Sequence, residues 1–192
     1  RLAMHLMCKN RTEWGCGTCA SCRGIMEHNN PHFHFIMPVP RTSGSPSREY
    51  IDTVQKKIAA KCSSPYGQII FESYRKAPVI SIDQVREIKR SVRLTMDSGQ
   101  YRVFVISHIE KMNENGANSL LKVLEEPPPR TVLVLTTGSI ESLLPTIVSR
   151  CQTIHFTALN RETVSAALSE MTGIGDTEAA LYGKLAAGSL RA

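Results

Sequence analysis

No apolar run in this chain approaches about 18 residues, so no segment reads as a membrane-spanning helix. Internal repeats and low-complexity tracts are also lacking, which leaves solenoids and extended tails out of the account. Aromatic residues are scarce at 6%, with Trp14 the single tryptophan, so a nucleic-acid platform built from stacked rings has little to work with. Neither sign of charge dominates. Lys+Arg 23 against Asp+Glu 17 leaves a net charge of +6, which permits an anionic partner without requiring one. Arg1 to Met7 is too short and too polar for a secretory signal, and the cytosol is the expected compartment. What is present is ordinary globular material. The chain has 192 residues, 42% hydrophobic and 21% charged, enough to bury a true core and too apolar for wholesale disorder.

Of six cysteines, Cys8, Cys16, Cys19 and Cys22 fall in the spacing C-x7-C-x2-C-x2-C, while Cys62 and Cys151 are scattered. A chain with a sizeable core needs no disulfide framework, so the cluster asks for another explanation. A tetrahedral zinc takes four soft donors, and a C-x2-C turn supplies two from one knuckle. Here Cys19 is shared by two overlapping turns and Cys8 closes the set, with Gly15 and Gly17 easing the backbone. The reading is one structural zinc held by Cys8, Cys16, Cys19 and Cys22, in a module beside the sheet on which the core does not depend. A redox pair or unligated thiols are the alternative. Four sulfurs saturate the metal, which leaves His28, His32 and His34 as loop residues.

Leu2, Ala3, Leu6 and Met7 have helical spacing with no capping residue before them, as at the end of a helix that starts upstream. Residues from His28 to Ser47 read as loop, with a short extended stretch from Phe33 to Met37, and Ile51 to Ala60 as a modest helix. Ser81 to Gln84 forms a capping box ahead of Val85, Ile88 and Val92. Tyr101 to Ile106 and Thr131 to Thr136 are apolar strands of the kind buried on both faces of a parallel sheet. Between them Ala117, Leu120, Leu121 and Leu124 mark a helix that Pro127 to Pro129 stops. A short helix through Ile147 precedes Ser149-Arg150-Cys151, and Thr153 to Phe156 is expected to be a third strand. Alternating strands and helices imply right-handed βαβ units, hence an α/β fold with a parallel sheet. Beyond Ala158 two Ala/Leu-rich helices follow without a strand between them. The expected division is residues 1–158 as the αβα domain, with the cysteine module at 8–22, and 159–192 as a small all-helical domain.

The run Asn118-Ser-Leu-Leu-Lys-Val-Leu-Glu-Glu-Pro-Pro128, followed by Leu144 to Cys151, closely resembles the clamp-loader subunits of bacterial DNA polymerase III. Ile82-Asp83-Gln84-Val85-Arg86, the four-cysteine insertion and Gly188-Ser189-Leu190-Arg191-Ala192 resemble further motifs of that family, in the right order. The resemblance runs over nearly the whole chain, with Arg48 to Tyr74 least typical. It implies an AAA+ fold, N-terminally truncated here, with the helical lid beginning after the sheet domain and the family's C-terminal collar domain absent. No G-x-x-x-x-G-K-[ST] phosphate loop occurs in these residues.

In hydrolysing relatives, the strand matching Val103 to Ile106 ends in Asp-Glu, which hold Mg²⁺ and polarise water. This sequence has Ser107 and His108 there, and Glu110 lies two residues too far along. The departure sides with the delta-prime branch rather than gamma/tau. By the same resemblance, Arg150 reaches as a trans arginine finger into a neighbouring subunit's ATP site, with Ser149 orienting it; an arginine capping the short helix is the alternative. Thr136 matches the first-sensor position and Arg191 the second, although each has a purely structural reading too. Cys151 reads as a packing residue, and Lys122, Glu125 and Glu126 as a solvated or interface face.

The implied function is a non-hydrolysing stator that supports ATP-dependent loading of the sliding clamp on primed DNA. Its implied partners are the gamma/tau and delta subunits, the clamp and, through the complex, the DNA; ATP is bound by the neighbours, and no membrane is involved. On this reading the chain alone is no enzyme but part of a DNA polymerase complex. A gamma/tau-like ATPase and a zinc-ribbon nucleic-acid binder are the other readings.

Overall fold

The computed structural model describes residues 1–10, 12–40, 77–94 and 99–189, with Asp52 and Lys56. Most of the helix expected over Ile51 to Ala60, Cys62 and Arg191 lie outside the described residues. The chain divides into two compact units: one within Arg1–Ala59 and Phe71–Gln152, the other drawing its described residues from Thr153–Ala192.

The first unit is built on a three-stranded parallel sheet in the order β1 (Phe33–Ile36), β4 (Arg102–Ile106), β5 (Thr131–Leu135). Two short strands, β2 (Val39–Pro40) and β3 (Pro78–Val79), pair antiparallel, and β2 lies where the sequence reads as loop. Phe33 stands opposite Val103 and Arg102 opposite Thr131. Period-2 alternation sends Phe104 and Ile106 to one face and Val103 and Val105 to the other. Helices α3 (Ile82–Arg93), α4 (Glu114–Glu125) and α5 (Pro145–Val148) contribute Val85, Ile88, Val92, Ala117, Leu120 and Ile147 to the Phe104 face. Helices α1 (Leu2–Met7) and α2 (Ala20–Met26) place Ala3, Met4, Cys22 and Ile25 against Val103 on the other. Burying each of these larger side chains is worth about 1.5–3 kcal/mol.

Helix starts follow their sequence signals. Ser81 and Gln84 complete both halves of the capping box on α3. Asn113 accepts from the Gly116 N–H at 2.8 Å to cap α4. Two strand expectations need correction. Thr153 to Phe156 forms no strand; Ile154 and Phe156 are 70% and 93% exposed, with no ladder partner among the described residues. The third strand of the sheet is instead Phe33–Ile36, which the sequence shows as extended but not as part of the sheet. β5 is also less enclosed than expected, with only Thr131 fully buried. β4 is not wholly apolar either: buried Arg102 donates to the carbonyls of Val92 at 2.9 Å and Leu94 at 3.0 Å, closing the C-terminus of α3.

In the second unit, α6 (Arg161–Thr172) and α7 (Asp176–Leu185) pack through Val164 and Ala179, both essentially fully buried. Gly183 faces Ser165 so closely that a Cβ would collide with the hydroxyl, which explains a glycine inside a helix.

His34 lies in β1 rather than in a loop, its ring stacked on Phe104 with centroids 4.6 Å apart. Burial lowers its pKa from the ordinary 6.5, aided by Arg102 and His32 and opposed by Glu87 and the Pro31 carbonyl. The folded state therefore binds fewer protons at this site than the unfolded chain. Its contribution to stability is full above pH 6.5 and is lost as pH falls through 6.5 and below. Urea unfolding at about pH 7.5 and about pH 5.5 should show a loss on acidification that His34→Phe reduces. An equal loss in the variant would exclude His34 as the group responsible.

Candidate metal centre and strand-end site

The sulfurs of Cys8, Cys16, Cys19 and Cys22 all lie within 4.8 Å of one another. Metal–sulfur bonds of about 2.3 Å in a tetrahedron require sulfur separations of about 3.8 Å, so a small contraction suffices and the four could hold a metal ion. The local backbone is organised around the sulfurs. Cys16 N–H donates to Cys8 Sγ at 3.3 Å, Cys19 N–H to Cys16 Sγ at 3.3 Å, and Cys22 N–H to Cys19 Sγ at 3.5 Å. Such bonds stabilise thiolates. Cys19 is also the N-cap of α2, where the helix dipole favours negative charge. Gly15 turns the chain at φ +83°, and a Cβ there would stand 2.6 Å from that of Met4.

The thiols differ in their readiness to ionise. Cys16 is held down at about 5 by the Thr18 hydroxyl and then by backbone N–H groups, whereas burial pushes Cys22 up to about 12. Cys8 is lowered chiefly by the Cys16 N–H. A bound cation would overcome the penalty at Cys22, because coordination deprotonates a thiol outright. Thr18, 3.4 Å from Cys16 Sγ, escapes the sequence reading; a hydroxyl residue between two cysteines is the signal that could have found it. The module does not stand beside the sheet as expected. Cys8 and Cys22 pack with Val103 in the layer covering one sheet face, so the module is part of the core. None of His28, His32 and His34 joins the sulfur cluster.

At the carboxyl ends of the strands, where parallel sheets gather ligands, Ser107 N–H donates to the Ile36 carbonyl at 2.8 Å and Thr136 N–H to that of Ile106 at 2.9 Å. The Thr136 side chain is exposed there. His108 takes a left-handed conformation, φ 53°, and turns the chain into a single 3-10 turn, Ile109–Lys111. Glu110 folds back to His108, with Oε1 3.1 Å from Nδ1. Burial raises its carboxyl, but its own N–H, the Thr137 hydroxyl and His108 together hold it below its ordinary 4.5. Glu110 is therefore engaged locally.

Arg150 lies on the turn after α5. Its Nη1 donates to the Thr146 carbonyl at 3.0 Å, the helix-end contact that was the alternative to a finger, and its Nε to Glu125 Oε2 at 3.3 Å. Ser149 Oγ donates to that same Thr146 carbonyl at 3.3 Å. The site is thus assembled from α4 and α5. Cys151 packs on the core, and burial raises its thiol.

The fold and these strand ends are those of an α/β protein with a parallel sheet. More narrowly, the family model described as "DNA polymerase III, delta subunit" matches residues 1–160, and the chain belongs to this delta-prime family. It is 28% identical over 177 residues to the DNA polymerase III subunit delta' of Haemophilus influenzae, covering 92% of this chain and 43% of that one. To the delta' subunit of Pseudomonas aeruginosa it is 47% identical over 150 residues, 78% of this chain and 35% of that one. The tau subunit of Bacillus subtilis is 33% identical over 97 residues, 50% of this chain and 17% of the relative. The chain thus spans less than half the length of each of these relatives.

Protein purified without chelator should carry one zinc, measured by elemental analysis, and Cys19→Ser should lose it. Because the module covers the Val103 face, the variant should also melt at lower temperature. Metal-free wild-type protein would remove the site.

Proposed function

We propose that this chain is the AAA+ αβα domain, 1–158, and the helical lid domain, 159–192, of a non-hydrolysing clamp-loader stator in the cytoplasm. In this role it supports ATP-dependent loading of the sliding clamp on primed DNA, alongside gamma/tau and delta subunits that carry the nucleotide. Zinc at Cys8, Cys16, Cys19 and Cys22 is structural, since four sulfurs leave no open position. The observation that carries the reading is the placement of Arg150 on an exposed turn after α5, from which it would act on the γ-phosphate in a neighbouring subunit. Its planar fork suits charge developing there. Capping Thr146 uses only one edge of that fork, so the two roles are compatible. Thr136 would serve as a sensor-like hydroxyl and Arg191 as a second sensor.

Support for the absence of hydrolysis comes from the strand end. Ser107 and His108 offer no carboxylate to hold Mg²⁺ or polarise water, and Glu110 is tied to His108. The full-length protein alone should therefore turn over no ATP above background. Turnover abolished by changing Ser107 or His108 would establish the gamma/tau-like reading instead.

Arg150→Ala should leave the protein folded and able to assemble, since the side chain lies on a surface turn outside the apolar core and its loss should cost little of the domain's stability. Clamp- and DNA-stimulated ATPase of the reconstituted loader should fall by the share of the one site this arginine completes. Arg150→Lys should rescue poorly, because an ammonium keeps the charge but loses the fork. Wild-type rates with Arg150→Ala would reject the finger and leave the helix cap.

A further inference from the structure

Glu125 is the last residue of α4, where unpaired carbonyls make the helix end negative and a carboxylate is disfavoured. Glu126 beside it adds like charge. An acid in that position calls for a compensating partner, and the partner is 25 residues on in the sequence. Arg150 Nε lies 3.3 Å from Glu125 Oε2 while Nη1 meets the Thr146 carbonyl at 3.0 Å. From these contacts the geometry points to Glu125 as a positioning residue for Arg150, one that fixes the guanidinium before it meets the neighbouring subunit. The inference rests on the trans-finger reading given above.

A guanidinium has five N–H donors. The two contacts use Nε–H and one on Nη1, so 5 − 2 = 3 remain, all on the Nη1 and Nη2 end that would face a phosphate. The contacts therefore engage Nε and one hydrogen of Nη1 and leave the Nη2 hydrogens and the second Nη1 hydrogen for a phosphate. A latch that blocked the finger would occupy Nη2 as well. The base of the side chain is equally fixed. Pro145 opens α5, Ile147 is 2% exposed in the core, and Cys151 packs against the same cluster. Between these anchors the arginine side chain has freedom to lose, and Glu125 restricts it before the subunits meet. Preorganisation of this kind raises rate without adding a contact to the substrate. Stability is a poor explanation for the pair: its carboxylate is 59% exposed, and exposed ion pairs contribute little.

The test uses full-length protein reconstituted into the loader, with steady-state ATPase measured in the presence of clamp and primed DNA. Glu125→Ala should reproduce most of the rate loss of Arg150→Ala, with KM for ATP within about twofold, since orientation acts on the reacting geometry and not on nucleotide affinity. Glu125→Gln, which keeps an acceptor oxygen for Nε–H, should recover most of the rate. In an Arg150→Ala background Glu125→Ala should cost nothing further. Wild-type rates with Glu125→Ala beside a slow Arg150→Ala would overturn the positioning role and leave the finger standing. An added loss in the double variant would overturn it too, since Glu125 would then act by another route. Wild-type rates with Arg150→Ala would overturn both.

Discussion

The structure of the first unit depends on β4 being dry on both sides. Val103, Phe104 and Ile106 are each fully buried, and successive side chains belong to different layers. One residue of slip would exchange those layers, carrying Val103 into the space shaped for Phe104. Helices on one side and the cysteine module on the other are fitted to that alternation. β1 and β5 repeat it, with Ile36 and Leu133 joining Phe104 while Phe33 and Val132 join Val103. Register therefore determines where each strand ends, and with it where Ser107 and Thr136 stand.

Much of this could be read from the residues. The capping box located α3, because a hydroxyl side chain at an N-cap acts on N–H groups only two or three residues away, and the spacing of Ala117, Leu120, Leu121 and Leu124 located α4. The four cysteines were visible for a similar reason: their spacing is set by turns of the local backbone. Long-range pairing was not visible. Phe33–Ile36 and Thr153 to Phe156 look alike as short extended stretches, and nothing local distinguishes the one that finds an edge beside β4. Arg102 was hidden because a strand that begins with a charge reads as an exposed end. Its partners, the last carbonyls of α3, are eight and ten residues away and are named by no motif.

The cysteine module shows how a site can be legible while its place is not. Its ligand set follows from spacing alone, but the two buried sulfurs, Cys8 and Cys22, lie in the layer that closes the Val103 face. That location explains the unequal thiols. Cys16 sits near donors that favour its anion, whereas Cys22 is forced toward the neutral form by the apolar surroundings that make it useful for packing. A cation reconciles the two demands, since it neutralises the charge that burial penalises. A metal held by the four sulfurs would thus form one energetic unit with the sheet face.

Arg150 presents the converse arrangement, a residue on a surface turn whose position is determined by buried ones. Ile147 and Cys151 bracket it in sequence, and both pack on the Phe104 face. Through them the arginine is referred to the buried layer on the Phe104 face, and through Glu125 to the end of α4, which that layer also holds by Leu120. In the proposed finger role, a long, flexible side chain would gain most from such a mounting. Its own contacts add little to stability, so they can be arranged for direction instead. The same reasoning accounts for acids at the C-terminus of α4: a carboxylate placed against the helix dipole is a poor choice for the helix and a good one for the arginine beside it.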